Sequence, residues 1–226
     1  MKIETGNSEH YNFIGPPGTL AERVVAICYL VAGKGWKVSS GLIVGLPGQT
    51  QAQVEQTLNL LTLLPLAGCS VSPFVAGGQT PFVDAPNGDI EQTLNCMAWP
   101  RLRGPQWIIP AVSAMRLVSE DGYVRAFNAG ANLATINLTP RAVRADYPIY
   151  RRDRIIMDEE RVLSAIEEAG CNLSRVCIAE HLRKTTFATG SAVPNFRGRR
   201  ATKTRRRLVE GLEFLQPCRR KPLCRS

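Results

Sequence analysis

Cysteines, histidines and one glycine-rich turn are where this 226-residue chain could do chemistry. Seven cysteines occur, Cys28, Cys69, Cys96, Cys171, Cys177, Cys218 and Cys224. Their odd number, with no export signal at Met1-Lys2-Ile3-Glu4, argues against a disulfide framework. Cys28, Cys69 and Cys96 sit in apolar segments and read as small core residues. No C-x-x-C occurs, and the pairs Cys171/Cys177 and Cys218/Cys224 lack the usual zinc spacing, so no metal site is expected. His10 and His181, the only histidines, have no cysteine or carboxylate at ligand spacing and read as surface or hydrogen-bonded residues. No Ser-His-Asp arrangement, P-loop or dinucleotide fingerprint is present. Gly45-Leu46-Pro47-Gly48 follows an apolar run and precedes a helix start. Glycines there let the backbone approach a ligand, and a helix N-terminus favours anions or polar groups. The same residues equally make a plain turn between strand and helix, and both readings stand.

The elements that must position these residues alternate. Ile3 reads as a short strand remnant. Thr19-x-x-Glu22 is a capping box and opens a helix with Leu20, Val24, Ile27, Cys28 and Val31 on one face, ended by Gly33 and Gly35. Lys37–Gly45 reads as a buried strand, followed by a turn at Leu46–Gln49. Thr50-x-x-Gln53 is a second capping box and starts a helix to about Leu64, with Leu58, Leu61 and either Leu64 or Thr57 on its buried face. Gly68–Val75 reads as a strand, and Asp89 caps a helix to about Leu102. Trp107–Ala114 reads as a strand, 119–130 as a helix and Asn132–Leu138 as the last strand. About five strands and four helices in alternation require parallel strands with crossover helices. Five such units cannot close an eight-stranded barrel of about 250 residues. The expected architecture is therefore α/β over residues 1–140, a partial TIM-like barrel or, as the alternative, an independent open sheet. A polar linker with a helix from Asp158 to Ala169 occupies 141–174, and a basic tail occupies 175–226.

The charge is unevenly placed. Residues 1–174 hold 14 Lys and Arg against 16 Asp and Glu, net −2, whereas 175–226 hold 14 against 3, net +11. The basicity belongs to the tail, so whole-chain charge is no argument for nucleic-acid binding by the body. The tail carries Arg197-Gly198-Arg199-Arg200 and Lys203-Thr204-Arg205-Arg206-Arg207, lacks sustained apolar periodicity and reads as disordered, with a short helix over Arg206–Leu215 the exception. No apolar run reaches the roughly 18 residues a membrane helix needs, which points to a cytoplasmic protein with no membrane partner.

Three segments carry a resemblance that composition could not supply. They are Ile3-Glu4-Thr5-Gly6-Asn7 with Glu9-His10-Tyr11 and Arg23; Ser40-Gly41-Leu42-Ile43-Val44-Gly45-Leu46-Pro47-Gly48-Gln49-Thr50; and Ala129-Gly130-Ala131-Asn132 with Asn137-Leu138-Thr139-Pro140. In this order, with Asp89-Ile90-Glu91-Gln92-Thr93-Leu94 between, residues 2–170 resemble the C-terminal half of radical S-adenosylmethionine (SAM) enzymes of the biotin-synthase-like group. The resemblance implies a TIM-like barrel with its site at the C-terminal strand ends. It implies two cofactors, SAM and a [4Fe–4S] cluster held by a three-cysteine loop, which carry the hard chemistry while the protein positions them. It places Glu4 and Arg23 at SAM, a carboxylate suiting an ammonium or ribose hydroxyls and a guanidinium suiting a carboxylate. Gly45, Pro47 and Gly48 would line the same site. Asn137 and Thr139, with Met115 and Arg116, are candidates for the substrate pocket.

The chain departs from the family pattern in one decisive respect. The C-x3-C-x2-C cluster loop is absent, and no three cysteines stand in for it. Ser39 and Ala111-Val112-Ser113-Ala114 replace the cysteine and arginine ligands of a second cluster in biotin synthases. The Gly-Leu-Pro-Gly-Gln-Thr turn looks more like the [FeFe]-hydrogenase maturase and methylornithine synthase branch. The resulting expectation is part of a radical SAM enzyme, inactive alone. The alternatives are a half that works with a partner chain carrying the cysteine loop, or a non-enzymatic protein whose basic tail binds nucleic acid.

Overall fold

In the computed structural model, residues 2–78, 80–140, 142–143 and 156–185 are described. Several helix starts follow the caps written in the sequence. Both capping boxes form. Thr19 accepts from the Glu22 amide at 3.2 Å while Glu22 accepts from the Thr19 amide at 3.0 Å, opening α2 (Leu20–Lys34). Thr50 and Gln53 repeat the exchange at 3.3 and 2.9 Å and open α3 (Gln51–Leu63). Each box satisfies two amides that would otherwise lack partners, worth about 1 kcal/mol per cap. Asp89 caps α4 (Ile90–Arg103), as expected. A helix not anticipated, α1 (Ser8–Ile14), is capped by Asn7. Gly33 lies inside α2 rather than ending it, and Gly35 at φ 67 provides the stop.

The strands are parallel and lie in chain order. Residues 3–5 form a single bridge between Glu4 and Leu42 of β1 (Ser39–Val44). β1 pairs with β2 (Gly68–Pro73) from Ser39↔Gly68 to Val44↔Pro73. β2 is joined through Gly68↔Ile108 to the segment that continues into β3 (Pro110–Ala111), which pairs with β4 (Leu133–Ala134). The result is two short ladders linked by single bridges, and no closed barrel forms among the described residues.

The register sorts the side chains of β1 and β2. Ser40, Leu42 and Val44 share a face with Cys69, Val71 and Pro73, and all six are buried. The alternate positions carry Ser39, Gly41, Ile43, Gly68, Ser70 and Ser72, a smaller and more polar set. α3 packs on β1, α4 on β2 and β1, and α6 (Gly122–Asn128) on β3. α3 buries Thr57 with Val54, Leu58, Leu60 and Leu61, and Leu64, its C-cap, is buried as well, so both alternatives are occupied. Each fully buried aliphatic side chain contributes about 1.5–3 kcal/mol.

The expected strand 107–114 is corrected. Only Pro110–Ala111 is strand, and Ser113–Val118 is helix α5. Pro110 has no N–H to extend a ladder. The Asn132 side chain takes over part of the pairing by accepting from the Ile109 amide at 2.8 Å. The expected strand 132–138 likewise contracts to Leu133–Ala134, with Ile136 and Leu138 exposed. α7 (Glu159–Glu168) starts at the Asp158 cap and buries Val162 and Ala165 against α6. The segment expected to be disordered from 175 contains α8 (Ile178–Lys184). The remainder of that segment, including Arg206–Leu215, lies outside the described residues. Among the described residues no helix is long and apolar enough to cross a membrane.

Candidate functional site

The first two strands deliver their C-terminal ends side by side, where ligands bind in open parallel sheets. Glu4 stands there in an unusual backbone state. It is the only described non-glycine residue at positive φ, 63°. The Thr5 amide donates to the Ile3 carbonyl at 2.7 Å across it, closing a γ-turn of the strained, positive-φ kind. Ile3 and Thr5 on either side are fully buried. The Oε2 atom of Glu4 is buried with no hydrogen-bond partner. The Lys2 ammonium is 3.4 Å away, close enough for an ion pair but without hydrogen-bond geometry. A strained residue carrying a buried, unsatisfied carboxylate oxygen marks a site, because such strain persists only where the surroundings enforce it.

The neighbouring turn is built by Gln49. Its amide donates to the Leu46 carbonyl at 2.9 Å. Its side chain accepts from the Gly45 amide at 2.8 Å and donates to the Ile43 carbonyl at 3.0 Å. Gly48 at φ 71 supplies the positive dihedral of this turn. Gly45, at φ 81, is required for a different reason. A Cβ there would lie 2.5 Å from the Gly88 Cα, so the close approach at Gly45 is made by the loop before α4.

His10 joins the two turns. It is buried, with Nδ1 3.2 Å from Thr5 Oγ1 and Nε2 2.9 Å from the Pro47 carbonyl. It is a hydrogen-bonded histidine, as its spacing suggested. Lys2, Thr5 and Gln49 complete this neighbourhood, and no sequence signal separates them or His10 from ordinary surface and turn residues.

Arg23 reaches the same strand from α2. It donates to the Lys2 carbonyl at 2.6 Å and to the Pro17 carbonyl at 3.4 Å, and its guanidinium lies 5.6 Å from the Tyr11 ring centroid. Thus Glu4 lies on the edge strand beside β1, Arg23 contacts the start of that strand, and Gly45, Pro47 and Gly48 lie in the turn that follows β1. The other expected residues do not join them. Met115 is fully buried on α5. Arg116 pairs with Glu120 at 3.4 Å. Asn137 and Thr139 follow β4 at the opposite edge, where the Asn137 amide donates to the Met157 carbonyl at 3.0 Å and its side chain accepts from the Thr139 amide at 2.9 Å.

The thiols separate by environment. Burial pushes Cys69 up to about 12 and Cys96 up to about 11, and raises Cys28 as well, which fits core residues. Cys171 and Cys177 are exposed. Among the described residues no three His, Cys, Asp or Glu side chains gather to hold a metal ion. The donor set therefore does not fit an iron–sulfur cluster. The Glu4 oxygen that lacks a hydrogen-bond partner is an acceptor for an ammonium or a hydroxyl.

No family model matches the chain. Over 150 residues it is 29% identical to the protein named [FeFe] hydrogenase maturase subunit HydE from Thermotoga maritima, a match covering 66% of this chain and 43% of that protein. The chain is thus similar to a hydrogenase maturase and spans less than half of that relative's length.

Proposed function

We propose that this chain is part of a radical SAM protein of the biotin-synthase-like group, its strands an arc of the family's barrel and its Glu4 turn a contact for SAM. The observation that carries the reading is the buried, unsatisfied Glu4 oxygen on a left-handed backbone at the C-terminal end of the sheet. The similarity to a hydrogenase maturase supports it. Bound SAM would supply the reactive sulfonium and adenosyl groups. The residues of this chain bind and orient. Glu4 accepts from an ammonium or a ribose hydroxyl, exchanging Lys2 for the ligand. Arg23 holds the strand in place through the Lys2 carbonyl. Gln49 keeps the adjoining turn closed.

The radical step needs cluster ligands that the described residues do not provide, so this chain by itself is expected to bind SAM without cleaving it. The outer side of the 3–5 strand has no described strand beside it, and a segment or partner chain carrying the three-cysteine loop would pair there. Co-purification of such a chain tests that point.

The direct test is calorimetric titration of the full chain with SAM, repeated with Glu4→Ala. The expected result is saturable binding that weakens by about tenfold or more in the variant, since a hydrogen bond to a charged group is worth about 1.5–3 kcal/mol. Absence of binding, or equal affinity in both proteins, refutes the assignment.

A further inference from the structure

We infer that His10 is a positioning residue that locks the Glu4 turn and the Leu46–Gln49 turn into one unit. Its two ring nitrogens are committed to opposite sides, 3.2 Å from Thr5 Oγ1 and 2.9 Å from the Pro47 carbonyl. A carbonyl can only accept, so Nε2 carries the proton. In the neutral ring Nδ1 is then an acceptor, and the Thr5 hydroxyl donates to it. The rest of the Thr5 environment agrees, because the Asn7 amide lies 3.5 Å from the same hydroxyl oxygen and occupies its acceptor side.

Thr5 is the residue whose amide closes the γ-turn over Glu4, at 2.7 Å from the Ile3 carbonyl. Pro47 is in the turn that the Gln49 amide closes, at 2.9 Å from the Leu46 carbonyl. A single imidazole therefore links the strained carboxylate turn to the turn leading into α3. Phe13 stacks on the imidazole, with ring centroids 6.1 Å apart and planes 19° from parallel, and its own edge packs against Gly48. The ring is thus held in orientation by one face and both nitrogens. Leucine at this position would fill much of the volume and supply neither bond. Glutamine places an amide N–H where Nε2–H stands and keeps the Pro47 bond alone.

The consequence for ligand binding rests on the assignment of Glu4 to SAM. His10 touches neither Glu4 nor, in that assignment, the ligand. It acts by holding the left-handed backbone that aims the carboxylate.

The test uses the full chain with His10→Leu and His10→Gln. Nitrogen NMR of the wild-type ring should show a protonated Nε2 and an unprotonated Nδ1. In His10→Leu, hydrogen exchange of the Thr5 and Gln49 amides should accelerate together by about tenfold or more, while Cys69 in β2 and Met97 in α4 keep wild-type rates. SAM affinity should fall by about tenfold in His10→Leu, and His10→Gln should recover the Gln49 protection and part of the affinity. A proton on Nδ1 overturns the inference, as does unchanged exchange at Thr5. So does acceleration that includes Cys69 and Met97 in both variants, which marks a merely structural histidine. Should the wild type fail to bind SAM while the two amides still respond together, the coupling stands and the SAM assignment of Glu4 falls. Should it bind SAM with affinity unchanged in His10→Leu, the assignment stands and the positioning role falls.

Discussion

Replacing Glu4 by glycine is expected to stabilise the protein while weakening SAM binding by about tenfold or more. The backbone there is at φ 63°. A non-glycine residue in the left-handed region costs about 1–2 kcal/mol, which glycine avoids. The same substitution removes a carboxylate oxygen that is buried without a hydrogen-bond partner, a penalty of about 1–3 kcal/mol. Two terms oppose. The Lys2–Glu4 ion pair, at 3.4 Å with both side chains about a quarter exposed, is worth about 0.5 kcal/mol. Glycine also gains freedom in the unfolded chain, a loss of about 0.5–1 kcal/mol. The balance is a gain centred on about 2 kcal/mol. With a urea slope of about 2 kcal/mol per molar, the unfolding midpoint should rise by about 1 M without a change in slope. The variants should follow an order. Glu4→Asn keeps much of the gain because asparagine tolerates the left-handed region. Glu4→Ala gains less, because the alanine Cβ retains the strain. Midpoints from equilibrium urea unfolding, followed by circular dichroism, decide the matter. If Glu4→Gly unfolds at lower urea than the wild type, the γ-turn is not a strained site held for a ligand, and the functional reading loses its structural support.

Arg101 should be the opposite kind of residue, a cation that stability needs. It donates to the carbonyls of Gly130 at 2.8 Å, Pro105 at 2.7 Å and Trp107 at 3.1 Å. Arg101→Leu should cost about 3 kcal/mol by urea unfolding, the three bonds being shared and less than additive, and Arg101→Lys should recover only a minor part. Gly45→Ala should destabilise by more than about 2 kcal/mol, since its Cβ would strike the Gly88 Cα at 2.5 Å and its φ is 81°. Thiol labelling at pH 8 should modify Cys171 and Cys177 rapidly in the native state and Cys28, Cys69 and Cys96 only on unfolding, because a thiol raised to about 12 holds almost no thiolate at that pH. The same shifts set an alkaline limit. In the unfolded chain these thiols ionise from their ordinary value of 9.0, whereas in the native state Cys69 and Cys96 hold their protons to about 12 and about 11. Stability should therefore fall as pH rises above about 9, measurable as a declining melting temperature.

Some of this protein was legible in the residues alone because the governing interactions are local. Thr19 with Glu22, Thr50 with Gln53 and Asp89 announce helix starts by side chains that reach three residues along the chain, and each cap forms as read. The same holds for the strand Ser39–Val44, the turn at Leu46–Gln49 and the burial of Cys28, Cys69 and Cys96. What the sequence could not determine depends on contacts across the fold. Trp107–Ala114 has the composition of a strand, yet Pro110 lacks a donor and the pairing passes to the Asn132 side chain, twenty-odd residues away. The choice between Thr57 and Leu64 was undecidable because both are buried, a matter of what surrounds the helix rather than of its period. Glu4 was singled out by the pattern of its neighbours, but its left-handed backbone and its unsatisfied oxygen are products of the bridge to Leu42 and the packing of Ile3 and Thr5. His10 shows the limit most plainly. Its partners, Thr5 and Pro47, lie 5 and 37 residues away, and only the parallel pairing of two strand ends brings them to the same ring.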